Sequence, residues 1–175
     1  REVLSGVRYV FTTWGMYSLT GDEIGRFFPS LEGVFYAAGS VQSFAQPFLA
    51  RGISVYSAWA ANAVPVAEYT FSQIVLANSG FFGRLHVPGE ENWGNRDTGL
   101  WYPGNYEATV GIIGAGMIGS MVAEKVKNSL QRMNVTVYDP FLPDERAEKL
   151  GVVRCSLEEV FEKSDVITNH LANNA

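Results

Sequence analysis

The stretch "TVGIIGAGMIGSMVAEKVK", residues 109–127, decides how the chain is read. Thr109 to Ile113 is a β-branched run that stops at Gly114, with Gly116 and Gly119 following at two and five residues. An apolar pattern with helical spacing then begins. A strand, a glycine turn and a helix start in that order form a dinucleotide cradle. Gly114 makes the tight turn, Gly116 lets the backbone approach a pyrophosphate, and Gly119 lets the helix lie close on the strand. The pyrophosphate then sits on free N–H groups at the helix start.

Downstream, "VTVYDP" ends a second strand and places Asp139 twenty residues after Gly119. A carboxylate there accepts hydrogen bonds from both ribose hydroxyls and repels a 2′-phosphate, which selects NAD over NADP. Two other readings of these residues stay open. Asp139 also fits an ordinary turn before Pro140, and an S-adenosylmethionine site uses the same glycine turn and acid.

The remaining elements extend this pattern in both directions. Val7–Thr13 reads as a strand, and Thr20–Phe28 as a helix with Thr20 as N-cap and Glu23 closing a capping box. Gly33–Ala37 and Gly52–Ser57 are further strands. Pro65 to about Phe82 reads as one long helix, with Pro65 in its first turn and Glu68 favouring the positive end of the dipole. Its apolar residues surround it: Val66, Ala67, Tyr69, Phe71, Ile74, Val75, Leu76, Phe81 and Phe82. A helix apolar on all sides is expected to be buried. From Gly83 to Tyr106 the pattern breaks into a connector with five glycines, two prolines, Trp93 and Trp101. After the glycine turn come a helix over about 117–130, a strand at 135–138, a helix at 144–150, a short strand at Val152 and Val153, a helix at 157–163 and a strand at 165–169. Strands alternating with helices predict an α/β fold with parallel sheets.

Composition narrows the function. The 175 residues are 47% hydrophobic and 18% charged, with a net charge of −5. A mildly acidic chain without a basic cluster argues against nucleic acid as partner. No run of about 18 apolar residues reads as a membrane span. Cys155 is alone, so no intrachain disulfide forms, and a reducing, cytoplasmic setting is expected. Cys155 lacks a partner at nucleophile spacing and reads as a small buried residue. No His, Cys and carboxylate cluster has metal-ligand spacing.

Five blocks in order carry a resemblance over nearly the whole chain: "AAGSV" (37–41), "RGISVYSAWAANAVPVAEYT" (51–70), "TVGIIGAGMIG" (109–119), "VYDPF" (137–141) and "SDVITNHLA" (164–172). The chain resembles the D-isomer-specific 2-hydroxyacid dehydrogenases, a family that includes formate and phosphoglycerate dehydrogenases. The resemblance implies two α/β domains with a cleft between them. It divides the chain into part of a flavodoxin-like substrate domain (1–62), a linking helix and connector (63–106), and the first half of a Rossmann-type, doubly wound NAD-binding domain (107–175).

The same resemblance implies site residues. Backbone N–H groups of Ser40 and Val41 face a substrate carboxylate, and Asn62 points at substrate. Thr70 lies near the nicotinamide, Met117 and Ile118 lie under the pyrophosphate, and Leu171 and Ala172 line the cofactor. Ala172 departs from the family's usual proline. Read as residues alone, Ser40 equally caps a short helix, Asn62 sits in a turn, and Thr70 bonds back to its own helix.

The implied reaction interconverts a D-2-hydroxy acid and a 2-keto acid by hydride transfer, using a histidine paired to a carboxylate as acid–base and an arginine on the substrate carboxylate. In the family these lie beyond the fourth Rossmann strand. No catalytic residue is therefore assigned within the 175 residues. His86 falls in the connector, and His170 matches a structural histidine. The chain is expected to be a segment of a larger enzyme, inactive and poorly soluble by itself. The parent is expected to be a homodimer through the apolar helix. The alternative expectation is a non-catalytic NAD-sensing corepressor module of the same fold.

Overall fold

Two parallel sheets, each assembled from short strands joined through helices, make up the computed structural model, which describes residues 2–85 and 102–172. The chain divides into two units, Arg1–Ala63 and Val64–Ala175.

In the first unit, α1 (Glu2–Ser5), β1 (Tyr9–Thr12), α2 (Gly21–Phe27), β2 (Gly33–Tyr36), α3 (Ala45–Leu49) and β3 (Ser54–Ser57) follow one another. The strands lie in the order β1-β2-β3, all parallel, with Val10 opposite Val34 and Val34 opposite Val55. Helix α2 starts where the sequence places it. The Thr20 hydroxyl accepts from the Glu23 N–H at 3.2 Å, and the Thr20 N–H donates to the Glu23 carboxylate at 2.8 Å. Ile24, Val34, Phe44, Phe48 and Ile53 form the core. The rings of Phe11, Phe35 and Tyr56 stack across the three strands with 4.9 Å between neighbouring centroids.

The expectation contained no element over 45–49, yet α3 forms there. Its five residues are too few to show a period, and Pro47 reads as a breaker. Gly52, expected to open β3, instead has a left-handed φ of +76°. Its N–H reaches back to the Leu49 carbonyl at 2.9 Å, so it closes α3, and the strand starts at Ser54.

Helix α4 corrects the expected long helix at both ends. It runs Trp59–Asn78, so Pro65 lies in its interior rather than its first turn. Trp59–Val64 contains three alanines, and the first turn closes through the Asn62 N–H to the Ala58 carbonyl at 2.9 Å. Good helix formers extend the helix ahead of a proline that costs one hydrogen bond. Glu68 is therefore mid-helix and meets Lys125 at 3.6 Å instead of the dipole's positive end. Gly80, with φ of +76°, ends the run before Phe81 and Phe82, which begin the separate α5 (Phe81–Arg84). Within the single chain the helix is covered in part. Ala67 and Ile74 pack into the core of the second unit, while Tyr69 is 67% exposed in the single chain.

The second unit continues with β4 (Thr109–Ile113), α6 (Met117–Ser129), β5 (Asn134–Tyr138), α7 (Asp144–Leu150), β6 (Val153–Arg154), α8 (Leu157–Lys163) and β7 (Val166–Asn169). The sheet order is β6-β5-β4-β7, entirely parallel. The chain winds outward from β4 to β6, then returns to the other side of β4. That reversal is the switch point at which doubly wound sheets bind ligands. Val110, Ile112, Val122, Val126, Val135 and Val137 fill the core. Most of the expected connector, with Trp93, Trp101 and His86, lies outside the described residues. Its last part is tied to α4 by the Gly104 N–H on the Asn78 carbonyl at 2.9 Å and the Asn105 amide on the Val75 carbonyl at 3.1 Å.

Candidate cofactor site

Two of the three glycines after β4 are held to their identity, by different constraints. Gly114 turns the chain with φ of +88°, and its N–H donates to the Tyr138 carbonyl at the end of β5, 2.9 Å away. A Cβ there would also stand 3.0 Å from the His170 carbonyl at the end of β7. At Gly119 the constraint is contact: a Cβ would lie 2.0 Å from the Gly114 carbonyl oxygen. Gly116 is the N-cap of α6, and a Cβ added to it would meet nothing within 4 Å. The open side of the turn is thus at Gly116, where the first N–H groups of a 13-residue helix point outward.

Asp139 joins the turn to β5. One carboxylate oxygen accepts the Ala115 N–H at 2.7 Å, and the other accepts the Phe141 N–H at 2.8 Å. The turn reading of Asp139 describes one oxygen, which accepts across Pro140; the other grips the glycine loop, a contact the sequence did not signal. Each carboxylate oxygen has two acceptor positions, so both keep capacity for hydroxyl donors. The geometry fits a dinucleotide: an open glycine at a helix start, flanked by a carboxylate with unused acceptor positions.

Other expected residues surround this turn. Met117 is partly exposed at the start of α6, while Ile118 packs against the core. The Leu171 N–H donates to the Asn169 side chain at 3.0 Å, and that nitrogen stands 3.1 Å from where a Cβ on Gly114 would be. Leu171 and Ala172 are exposed. Thr70 is half-buried on α4 in the same unit.

A separate group forms in the first unit. Ser40 is exposed, and its hydroxyl accepts from the Gln42 N–H at 3.4 Å. Val41 packs on the core, and its carbonyl accepts from the Ala45 N–H at 2.9 Å. The Asn62 amide nitrogen lies 3.2 Å from where a Cβ on Gly39 would stand. The Ser57 hydroxyl bridges the carbonyls of Ala38, at 3.0 Å, and Gly39. Ser57, the last residue of β3, thus holds the loop that carries Ser40. Sequence reasoning did not single it out, and a serine ending a strand gives no signal of that role.

The His170 backbone N–H donates to the Ile113 carbonyl at 2.7 Å, and its ring Nε2 meets the Thr168 hydroxyl at 3.0 Å. Burial holds its imidazole below the usual 6.5. Cys155 is half-buried; burial first, and then the Glu159 charge, push its thiol above the usual 9.0. Among the described residues no three His, Cys or carboxylate side chains group as a metal site. No helix there is long and apolar enough to cross a membrane.

Residues 85–175 match the family described as "D-isomer specific 2-hydroxyacid dehydrogenase, NAD binding domain". The D-3-phosphoglycerate dehydrogenase of Bacillus subtilis is 37% identical over 128 residues, covering 69% of this chain and 22% of that protein. Among solved structures, the D-lactate dehydrogenase of Aquifex aeolicus, complexed with NAD and lactic acid, superposes with a TM-score of 0.70. It is 25% identical, and the match covers 97% of this chain and 50% of that one. The NAD-dependent formate dehydrogenase of Staphylococcus aureus, in complex with NAD, has a TM-score of 0.71 at 23% identity, over 97% of this chain and 50% of its own. The chain thus spans about a fifth of that curated relative's length and half of each solved structure's.

Proposed function

Since this chain belongs to the D-isomer specific 2-hydroxyacid dehydrogenases, whose matching domain binds NAD, we propose that the full-length protein interconverts a D-2-hydroxy acid and a 2-keto acid. Bound NAD supplies the hydride acceptor at its nicotinamide ring. The observation that carries the reading is the open Gly116 at the start of α6 beside Asp139, at the switch point of the sheet. In this reading the N–H groups of Gly116, Met117 and Ile118 hold the pyrophosphate, and the spare acceptor positions of Asp139 take the ribose hydroxyls. Thr70, Leu171 and Ala172 take the nicotinamide side. Residues 1–62 are assigned to the substrate domain, where the N–H groups of Ser40 and Val41 receive the substrate carboxylate. Asn62, beside Gly39, turns its amide to the same ligand.

The acid–base group is not assigned to the described residues. The His170 ring meets the Thr168 hydroxyl, which suits a structural role. The exposed residues of α4, Tyr69 among them, supply an apolar surface for a homodimer. A cytoplasmic location accords with the single cysteine. The deciding experiment is NADH oxidation by the full-length protein with glyoxylate, pyruvate and hydroxypyruvate. Turnover of at least one is expected. NADH binding without turnover of any 2-keto acid would instead favour the NAD-sensing module.

A further inference from the structure

Behind the glycine turn lies a polar chain that the cofactor reading does not use. Arg146, on α7, donates from Nη2 to the Ser120 hydroxyl at 2.8 Å. The Ser120 hydroxyl donates to the Ala115 carbonyl at 2.9 Å. Ser120 is 8% exposed and sits in the first turn of α6, where its own N–H already bonds to the Gly116 carbonyl. We propose that Arg146, acting through Ser120, is a positioning residue that aims the Gly116 N–H at the cofactor's pyrophosphate.

The argument follows from hydrogen inventories. A guanidinium only donates, and a serine hydroxyl has one hydrogen. When Arg146 occupies a lone pair of Ser120, that hydrogen goes to the Ala115 carbonyl. The cation also polarises the hydroxyl and strengthens the second bond. The Ala115 carbonyl and the Gly116 N–H belong to one planar peptide, and the described chain has no cis bonds. In a trans peptide the two groups point in opposite directions. Pulling the carbonyl toward Ser120 therefore turns the Gly116 N–H away from it. On the other side of Ala115, Asp139 holds the N–H at 2.7 Å. Both peptide planes of Ala115 are thus fixed, one by an anion on β5's end and one by a cation on α7. Residue 117 is Met, so no charged side chain at that position of the turn takes over this role.

The inference rests on the NAD reading, and the test separates the two. NADH, ADP-ribose and adenosine are titrated by fluorescence or calorimetry into the full-length protein, wild type first. Absence of wild-type NADH binding would defeat the cofactor reading itself. Given wild-type binding, Arg146→Ala is expected to raise the Kd for NADH and ADP-ribose about tenfold and to leave adenosine, which has no pyrophosphate, unchanged. Arg146 is exposed, so the fold tolerates this change, and Arg146→Lys, still a donor, should recover most of the loss. Ser120→Ala should match Arg146→Ala, and the double variant should bind as weakly as either single one. An unchanged Kd in Arg146→Ala would overturn the inference. So would a further loss when Arg146→Ala is added to Ser120→Ala, because the arginine would then touch the phosphate itself.

Discussion

Replacing Asp139 with Ala removes two acceptors at once, and the structure separates their costs. The Ala115 N–H, now bonded at 2.7 Å, belongs to a residue only 3% exposed. Left without a partner, it costs about 1–3 kcal/mol. The Phe141 N–H, bonded at 2.8 Å, belongs to a residue 90% exposed, and water replaces the carboxylate there at little cost. The net loss is therefore about 2 kcal/mol. A lower Tm of the full-length protein is expected. The second effect is on cofactor choice. Without the charge that repels a 2′-phosphate, the preference for NADH over NADPH should narrow by about tenfold, or ~1.4 kcal/mol. Absolute NADH affinity should fall as well, since the glycine loop loses one of its two anchors. Thermal melts and titrations with both cofactors on the full-length protein read these effects. Asp139→Asn is the control: it retains an acceptor for Ala115 but no charge, so Tm should largely recover while the ratio stays narrowed. An unchanged ratio in both variants would mean that the carboxylate does not face the ribose.

Gly119→Ala drives a methyl to 2.0 Å from the Gly114 carbonyl oxygen, and the forced separation of α6 from β4 should cost about 1–3 kcal/mol in denaturant melts and weaken NADH binding. Gly116→Ala, with nothing within 4 Å of the new methyl, should leave stability unchanged and weaken NADH alone. Helix α8 should fray in acid. Lys163 first, and then the Ser156 N–H, hold the Glu159 carboxylate below its usual 4.5. A carboxylate lowered in the folded state contributes stability above 4.5 that is lost as pH falls through its folded value. A lower protection factor for the Ser156 amide below pH 4.5 than at neutral pH checks this. Tyr69→Glu, on the exposed face of α4, should convert the expected dimer into monomer in sedimentation, and a monomeric wild type at micromolar concentration would refute the interface.

Residues close in sequence wrote much of this fold into the chain. The five-residue strand β4, the turn at Gly114 and the start of α6 depend on β-branched residues and glycines within a dozen positions, and they form where the spacing puts them. The Thr20–Glu23 box is equally local and caps α2 as read. Asp139 was legible as an acid ending a strand, but its grip on Ala115 was not. Helix α4 shows where local reading fails: Pro65 signals a helix start, yet the alanines ahead of it extend the helix backward past a proline that lacks a donor, at the cost of one hydrogen bond. Which apolar residues of that helix are covered depended on what packed against it, not on its own pattern. The remaining features needed the tertiary structure because they join distant residues. Ser57 reaches Ala38, and Arg146 reaches Ser120, only once parallel strands and their crossover helices have brought them together. A hydrogen bond needs its partners within about 3 Å. Periodicity sets which face a side chain takes, whereas the order β6-β5-β4-β7 decides what stands across from it.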